Sequence, residues 1–150
     1  MKRLLVLLLF SLLFIFSNCN KNLDYTQLDQ EIILQYILDN NLNAEPTGSG
    51  LYYVVNSTGN GDVPNINSIV TVAYKGTLTD GTIFDQSSSS GATFPLSNVI
   101  QGWQEGIPLF SEGGSGLLLI PSDLGYGNQA IGSIPANSVL IFEVTLLNVH

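Results

Sequence analysis

The sequence contains one cysteine and one histidine. Cys19 has no partner for an internal disulfide, and His150 is the last residue. Neither a Cys/His metal site nor a Cys–His or Ser–His catalytic pair can be assembled inside a core from these parts, and no metal or cofactor is expected. Basic residues are almost as scarce, with four Lys and Arg against twelve Asp and Glu and a formal net charge of -8. Lys2 and Arg3 lie in a leading segment expected to be removed, which leaves Lys21 and Lys75. Nucleic-acid recognition needs clustered Lys and Arg to displace phosphate counterions, and no such cluster exists. Long apolar runs are also missing. The Leu4 to Phe16 stretch, interrupted by Ser11, is shorter than the roughly 20 residues needed to cross a bilayer.

What is present points to a globular chain. Hydrophobic residues make up 45% of the sequence and there are 15 glycines, a composition suited to one domain rich in strands and turns. The positive start at Met1 to Arg3 and the apolar run behind it read as a secretion signal over residues 1–18. Phe16, Ser17, Asn18 and Cys19 then resemble the lipobox of bacterial lipoproteins. That resemblance implies a lipidated Cys19 as the new N-terminus, anchored at a membrane of the bacterial cell envelope, with the outer membrane facing the periplasm as the expected site. The flanks depart from the pattern, with Phe16 in place of a small aliphatic residue and Asn18 in place of Gly, Ala or Ser.

Residues 19–49 read as a tether followed by an amphipathic helix from Gln27 to about Leu42. Thr26 is its expected cap, Asp29 suits its first turn, and Leu28, Ile32, Ile33, Tyr36 and Ile37 fall at helical spacing. This helix is expected to pack on the domain at 50–150. Pro46, Gly48 and Gly50 end it, and the pattern switches to strands at Leu51–Asn56, Ile69–Leu78, Thr82–Asp85, Gly116–Pro121 and Val139–Val149. Gln86 to Thr93 reads as irregular and Val99 to Gly106 as a short helix. Five strands around one short helix indicate an antiparallel α+β domain.

Three segments stand in a familiar order and spacing: YKGTLTDGTIFDQS at 74–87, FPLSNVIQGWQEGIPLF at 94–110, and LGYG at 124–127 followed by SIPANSVLIFEVTLL at 133–147. They resemble the FKBP-type peptidyl-prolyl cis-trans isomerases. The first strand with its preceding helix and signal is similar to FKBP-type lipoproteins of Bacteroidetes, some of them linked to gliding motility. The resemblance implies an antiparallel half-barrel sheet wrapped around a short helix, with an apolar cavity between them that receives a proline ring of an X-Pro polypeptide. Position by position, it implies a cavity lined by Tyr74, Phe84, Asp85, Phe94, Val99, Ile100, Trp103, Tyr126, Ile134 and Phe142. Trp103 would be the floor and Phe84, Phe94 and Phe142 the walls. The backbone at Val99 and Ile100 would also bond the bound peptide.

The implied chemistry suits the residues available. Rotation about an X-Pro bond costs about 18–20 kcal/mol because it destroys amide resonance. The catalyst has to favour a twisted amide, which needs no nucleophile or metal. A dry cavity narrows the gap, because the planar, polarised amide is the form better solvated by water. Tyr126 would donate to the substrate carbonyl, and Asp85 would act through a bond to Tyr74 or by its field. Without the family spacing, Trp103 and the phenylalanines would read as plain core, Asp85 as a turn carboxylate, Tyr126 as a turn aromatic and Ser87 to Ser90 as a loop. Relatives often carry a basic residue where this chain has Ser90, and the loop after Tyr126 is shorter, which puts Ile131 near the rim. A rival class is a proline-binding module or chaperone in an envelope or motility assembly that uses the same cavity without turnover.

Overall fold

Strands near the C-terminus carry apolar side chains on both faces, which sets the architecture. Successive residues of a strand point to opposite sides of a sheet. In Ser115–Ile120, Leu118 and Ile120 point to one layer while Leu117 and Leu119 point to the other. Likewise, Leu140, Phe142, Val144 and Leu146 share a face of Leu140–Val149, with Ile141 on the reverse. Such strands are stable only when both faces are covered. The structure, a computed structural model, describes residues 24–150 and supplies a helix on each side. The signal segment and Cys19 lie outside the described residues.

Seven antiparallel strands form one open sheet: β1 (Glu45–Pro46), β2 (Tyr52–Ser57), β3 (Ile69–Thr77), β4 (Ile83–Gln86), β5 (Ala92–Pro95), β6 (Ser115–Ile120) and β7 (Leu140–Val149). Their order is β1-β2-β6-β7-β3-β4, and β5 pairs with the N-terminal half of β3. The short helix α2 (Gln101–Gly106) covers the inner face, and α1 (Tyr25–Asp39) covers the outer one. The α+β class and the sheet around a short helix are as expected. The strand number is not, because β1 and β5 are short edge strands without a long alternating pattern of their own. Hence the stretch expected to be irregular, Gln86 to Thr93, yields its first residue to β4 and its last two to β5.

Several boundaries also differ. Asp24, not Thr26, caps α1, accepting from the Thr26 amide at 3.2 Å. The helix ends at Asp39 rather than Leu42, because Asn41 takes a left-handed backbone conformation with φ 51°, which asparagine tolerates at helix ends. Asp29, expected in the first turn, lies beyond it because the helix begins at Tyr25, and it is fully buried. Val99 and Ile100 are extended rather than helical, since the Ile100 carbonyl is the first to accept from the helix, at the Trp103 and Gln104 amides.

The inner layer packs Val70, Val72, Leu118, Ile120, Leu140, Phe142, Val144 and Leu146 of the sheet against Trp103 of α2 and Ile107 and Phe110 beyond it. Two glycines of α2 set its distance. A Cβ at Gly102 would stand 2.5 Å from Ile120 Cγ2, and one at Gly106 2.7 Å from Leu118 Cδ1. The helix therefore lies directly on β6 and is held off the β3, β4 and β5 side by larger side chains.

Candidate active site

The side chains that keep α2 away from β3, β4 and β5 are aromatic rings, and they do not fill the space they hold open. A cavity of about 320 Å³ remains, lined by Tyr74, Phe84, Asp85, Phe94, Asn98, Val99, Ile100, Trp103, Tyr126 and Phe142. Trp103 is the hub of the rings. Its centroid is 5.1 Å from both Tyr74 and Phe142, edge to face at 88° and 82°, and 5.5 Å from Phe94. Phe84 packs edge to face on Phe142 at 5.4 Å. Edge-to-face contacts of this kind favour fixed ring positions. The indole N–H of Trp103 is buried without an acceptor among the described residues.

A break in strand register explains how two consecutive residues, Phe84 and Asp85, both reach the cavity. Gly76 of β3 pairs with Asp85, yet the next residue, Thr77, pairs with Ile83. Phe84 is thus the extra residue of a β-bulge, and the alternation that would send it to the outer face is cancelled. Gly76 is what permits it. A Cβ there would lie 2.5 Å from the Phe84 ring and 2.8 Å from Phe142. The bare Gly76 is a site-shaping residue absent from the sequence-based expectation, and its signal was a glycine inside a strongly β-forming run.

The polar edge is built from three side chains. The Tyr74 hydroxyl donates to Asp85 Oδ2 at 2.7 Å. Burial, with the bond to Asp85 and its charge adding, pushes the Tyr74 phenol up to about 12. Burial and then the charge of Asp85 raise Tyr126 as well. Both phenols therefore stay protonated at neutral pH and act as donors. Tyr74 is spent on Asp85, whereas the hydroxyl of Tyr126, 37% exposed, has no partner among the described residues and faces a guest as a donor.

Nine of the ten expected lining residues surround this one cavity. Ile134 does not. It is buried in the inner layer and held by reciprocal backbone bonds with Ile131 at 2.9 and 2.8 Å, so it backs the neighbouring loop. Asn98 takes the tenth place, and Ile131 is exposed without lining the cavity. Ser87 is no nucleophile by its contacts. Its hydroxyl accepts from the Tyr74 amide at 2.9 Å and donates to the Ser88 carbonyl, and its own amide bonds the Tyr74 carbonyl at 3.0 Å. It extends the β3–β4 pairing beside the site. Lys75 pairs with Glu143 on the outer face, leaving Asp85 with Tyr74 as its partner. Among the described residues no cluster of three or more His, Cys, Asp or Glu could hold a metal, and no helix is long and apolar enough to cross a membrane.

A larger groove of about 620 Å³ lies on the outer face between the end of α1 and the sheet, beside Tyr36, Asn40, Lys75 and Glu143. It lacks the ring of facing aromatics, so the inner cavity is the one with convergent chemistry.

The family model for FKBP-type peptidyl-prolyl cis-trans isomerases matches residues 61–147. The chain is 51% identical over 106 residues to the FKBP-type peptidyl-prolyl cis-trans isomerase FkpA of Aeromonas hydrophila, spanning 69% of this chain and 40% of that protein. It is 44% identical over 105 residues to FkpA of Escherichia coli K12, covering 69% and 39%. The chain thus spans about two fifths of the length of these curated relatives. The crystal structure of FkpA from Escherichia coli superposes with a TM-score of 0.74 at 36% identity over 84% of this chain and 61% of that one. A peptidyl-prolyl cis-trans isomerase from Pseudomonas syringae pv. tomato superposes at 0.73 with 30% identity, over 83% and 92%.

Proposed function

The chain belongs to the FKBP-type peptidyl-prolyl cis-trans isomerase family, and on that premise we propose that it is a working isomerase of the cell envelope that accelerates proline-limited folding. The observation that carries this reading is the Tyr74–Asp85 pair and the free Tyr126 hydroxyl set on the edge of an aromatic cavity floored by Trp103. A proline ring enters the cavity and its preceding carbonyl is drawn out of water. Loss of solvation raises the planar, polarised amide relative to the twisted one. Tyr126 donates to a carbonyl of the guest, and the field of Asp85 acts on the twisting group. The Val99 carbonyl already accepts from Gln104 Nε2 at 2.8 Å, and the Ile100 carbonyl serves α2. The Ile100 N–H, which donates to no acceptor among the described residues, and the second lone pair of the Val99 carbonyl are the backbone groups offered to a bound peptide. Lowering the barrier by about 5 kcal/mol gives an acceleration of several thousandfold, which shape and a few fixed dipoles suffice to supply.

The test is isomerisation of a short X-Pro peptide by the purified full chain, beside Asp85→Asn and Tyr126→Phe. The expected result is clear acceleration by the natural chain and a loss of about tenfold or more in each variant. A natural chain no faster than solvent sinks the reading. The envelope part of the proposal rests on Cys19. Cys19→Ser is expected to move the protein out of the membrane fraction, and unchanged partitioning counts against the anchor.

A further inference from the structure

Asp29 is a carboxyl-bearing residue of α1 with no exposed surface. Its neighbour one turn on, Ile33, fills the same layer with hydrocarbon, so packing alone does not account for an acid there. Burying such a group is costly unless its bonds are made. Asp29 Oδ2 accepts from the Ser122 amide at 2.7 Å and from the Ser122 hydroxyl at 2.6 Å, while Oδ1 has no partner among the described residues. Both bonds reach one residue.

That residue holds the rim of the cavity. The Ser122 carbonyl accepts from the Gly125 amide at 2.9 Å and from the Gly127 amide at 2.8 Å, the two neighbours of Tyr126. Gly127 turns the chain at φ 59°, and its carbonyl accepts from the Asn137 amide at 2.8 Å. Two further bonds press α1 onto the same corner, from Thr26 Oγ1 to Asp123 Oδ2 at 3.0 Å and from Gln30 Nε2 to the Gly50 carbonyl at 2.9 Å. A continuous set of short bonds thus runs from α1, on the outer face, to both flanks of the phenol on the inner side.

We infer that Asp29 is a positioning residue for Tyr126, so that the N-terminal helix is part of the isomerase unit rather than only a spacer behind the anchor. The catalytic half of this inference rests on the isomerase reading. The structural half, that Asp29 holds the 122–127 turn closed, stands separately.

A double-mutant cycle in the full chain tests it, using Asp29→Ala, Tyr126→Phe and the pair. Asp29→Ala is expected to lower kcat/KM about tenfold, and the pair to be no worse than Tyr126→Phe alone, because the two changes remove one effect. Asp29→Asn keeps an oxygen to accept from Ser122 and is expected to recover most of the loss. In Asp29→Ala, hydrogen exchange at the Gly125 and Gly127 amides should rise about tenfold while the β3 and β7 amides keep their natural rates. Losses that multiply in the pair, exchange at Gly125 and Gly127 that does not change, or exchange that rises equally across the sheet each overturn the inference. If the natural chain fails to isomerise but the exchange change appears, the hold of Asp29 on the turn stands and the isomerase reading falls.

Discussion

The two faces of the sheet are covered by helices in opposite ways. On the outer face, Ile33, Leu119, Val139 and Ile141 close against one another as a wholly aliphatic buried centre, with Ile32, Tyr36, Ile37 and Tyr52 packed around it. On the inner face, α2 lies directly on β6 through Gly102 and Gly106, while rings hold it away from β3, β4 and β5. Aliphatic side chains adapt and close gaps, whereas large flat rings fixed edge to face leave a wedge between them. The difference teaches that the cavity is a product of unequal packing along one helix, with no separate device needed to open it.

The comparison breaks most directly at the outer layer. Leu119→Ala should lower unfolding free energy by about 2–5 kcal/mol in urea denaturation, as cavity-forming changes in a core do. Its isomerase rate per folded molecule should stay within about twofold of the natural chain. A large activity loss in the folded fraction would show that the apolar packing of the outer layer, and not only the Asp29 bonds, shapes the cavity. Gly76→Ala sharpens the contrast from the other side. The added methyl meets the Phe84 and Phe142 rings at 2.5 to 2.8 Å, so overpacking should cost about 1–3 kcal/mol. Displaced rings should also cut kcat/KM by about tenfold or more. Retained activity would mean the cavity wall tolerates movement.

The smallest effect is on pH. Tyr74 sits at about 12 in the folded chain against an ordinary 10. A raised phenol favours the protonated form in the fold, so its stabilisation is complete below pH 10 and is lost as pH climbs from 10 through 12. Chemical denaturation across that window should show the decline, and Tyr74→Phe should make it shallower, leaving the part that the raised Tyr126 contributes.

Much of this was legible in the residues. The main strands, the short helix and the leading helix were readable from periodicity and turn residues, and the family resemblance brought Tyr74, Asp85, Trp103, Tyr126 and Phe142 to one cavity. The parts that were not legible depend on contacts distant in sequence. Asp29 reads as a first-turn charge because its partner Ser122 is 93 residues away. The bulge at Phe84 depends on which β3 residue it faces, and Gly76 matters through two rings that only the fold delivers. Ile134 leaves the lining because the loop after Tyr126 folds back on itself through Ile131, and Asn98 joins it from the turn that leads into α2. Edge strands β1 and β5 are too short to show a period.

The most direct test of the central claim, that the X-Pro guest is bound and turned over in the inner cavity, is an NMR titration of the full chain with a short X-Pro peptide while cis–trans exchange of the peptide is followed in the same sample. The account predicts faster exchange, with shifts centred on the Trp103 indole and the Ile100 and Tyr126 amides. Shifts centred on Tyr36, Lys75 and Glu143 in the outer groove, or exchange that the protein does not speed, would contradict it.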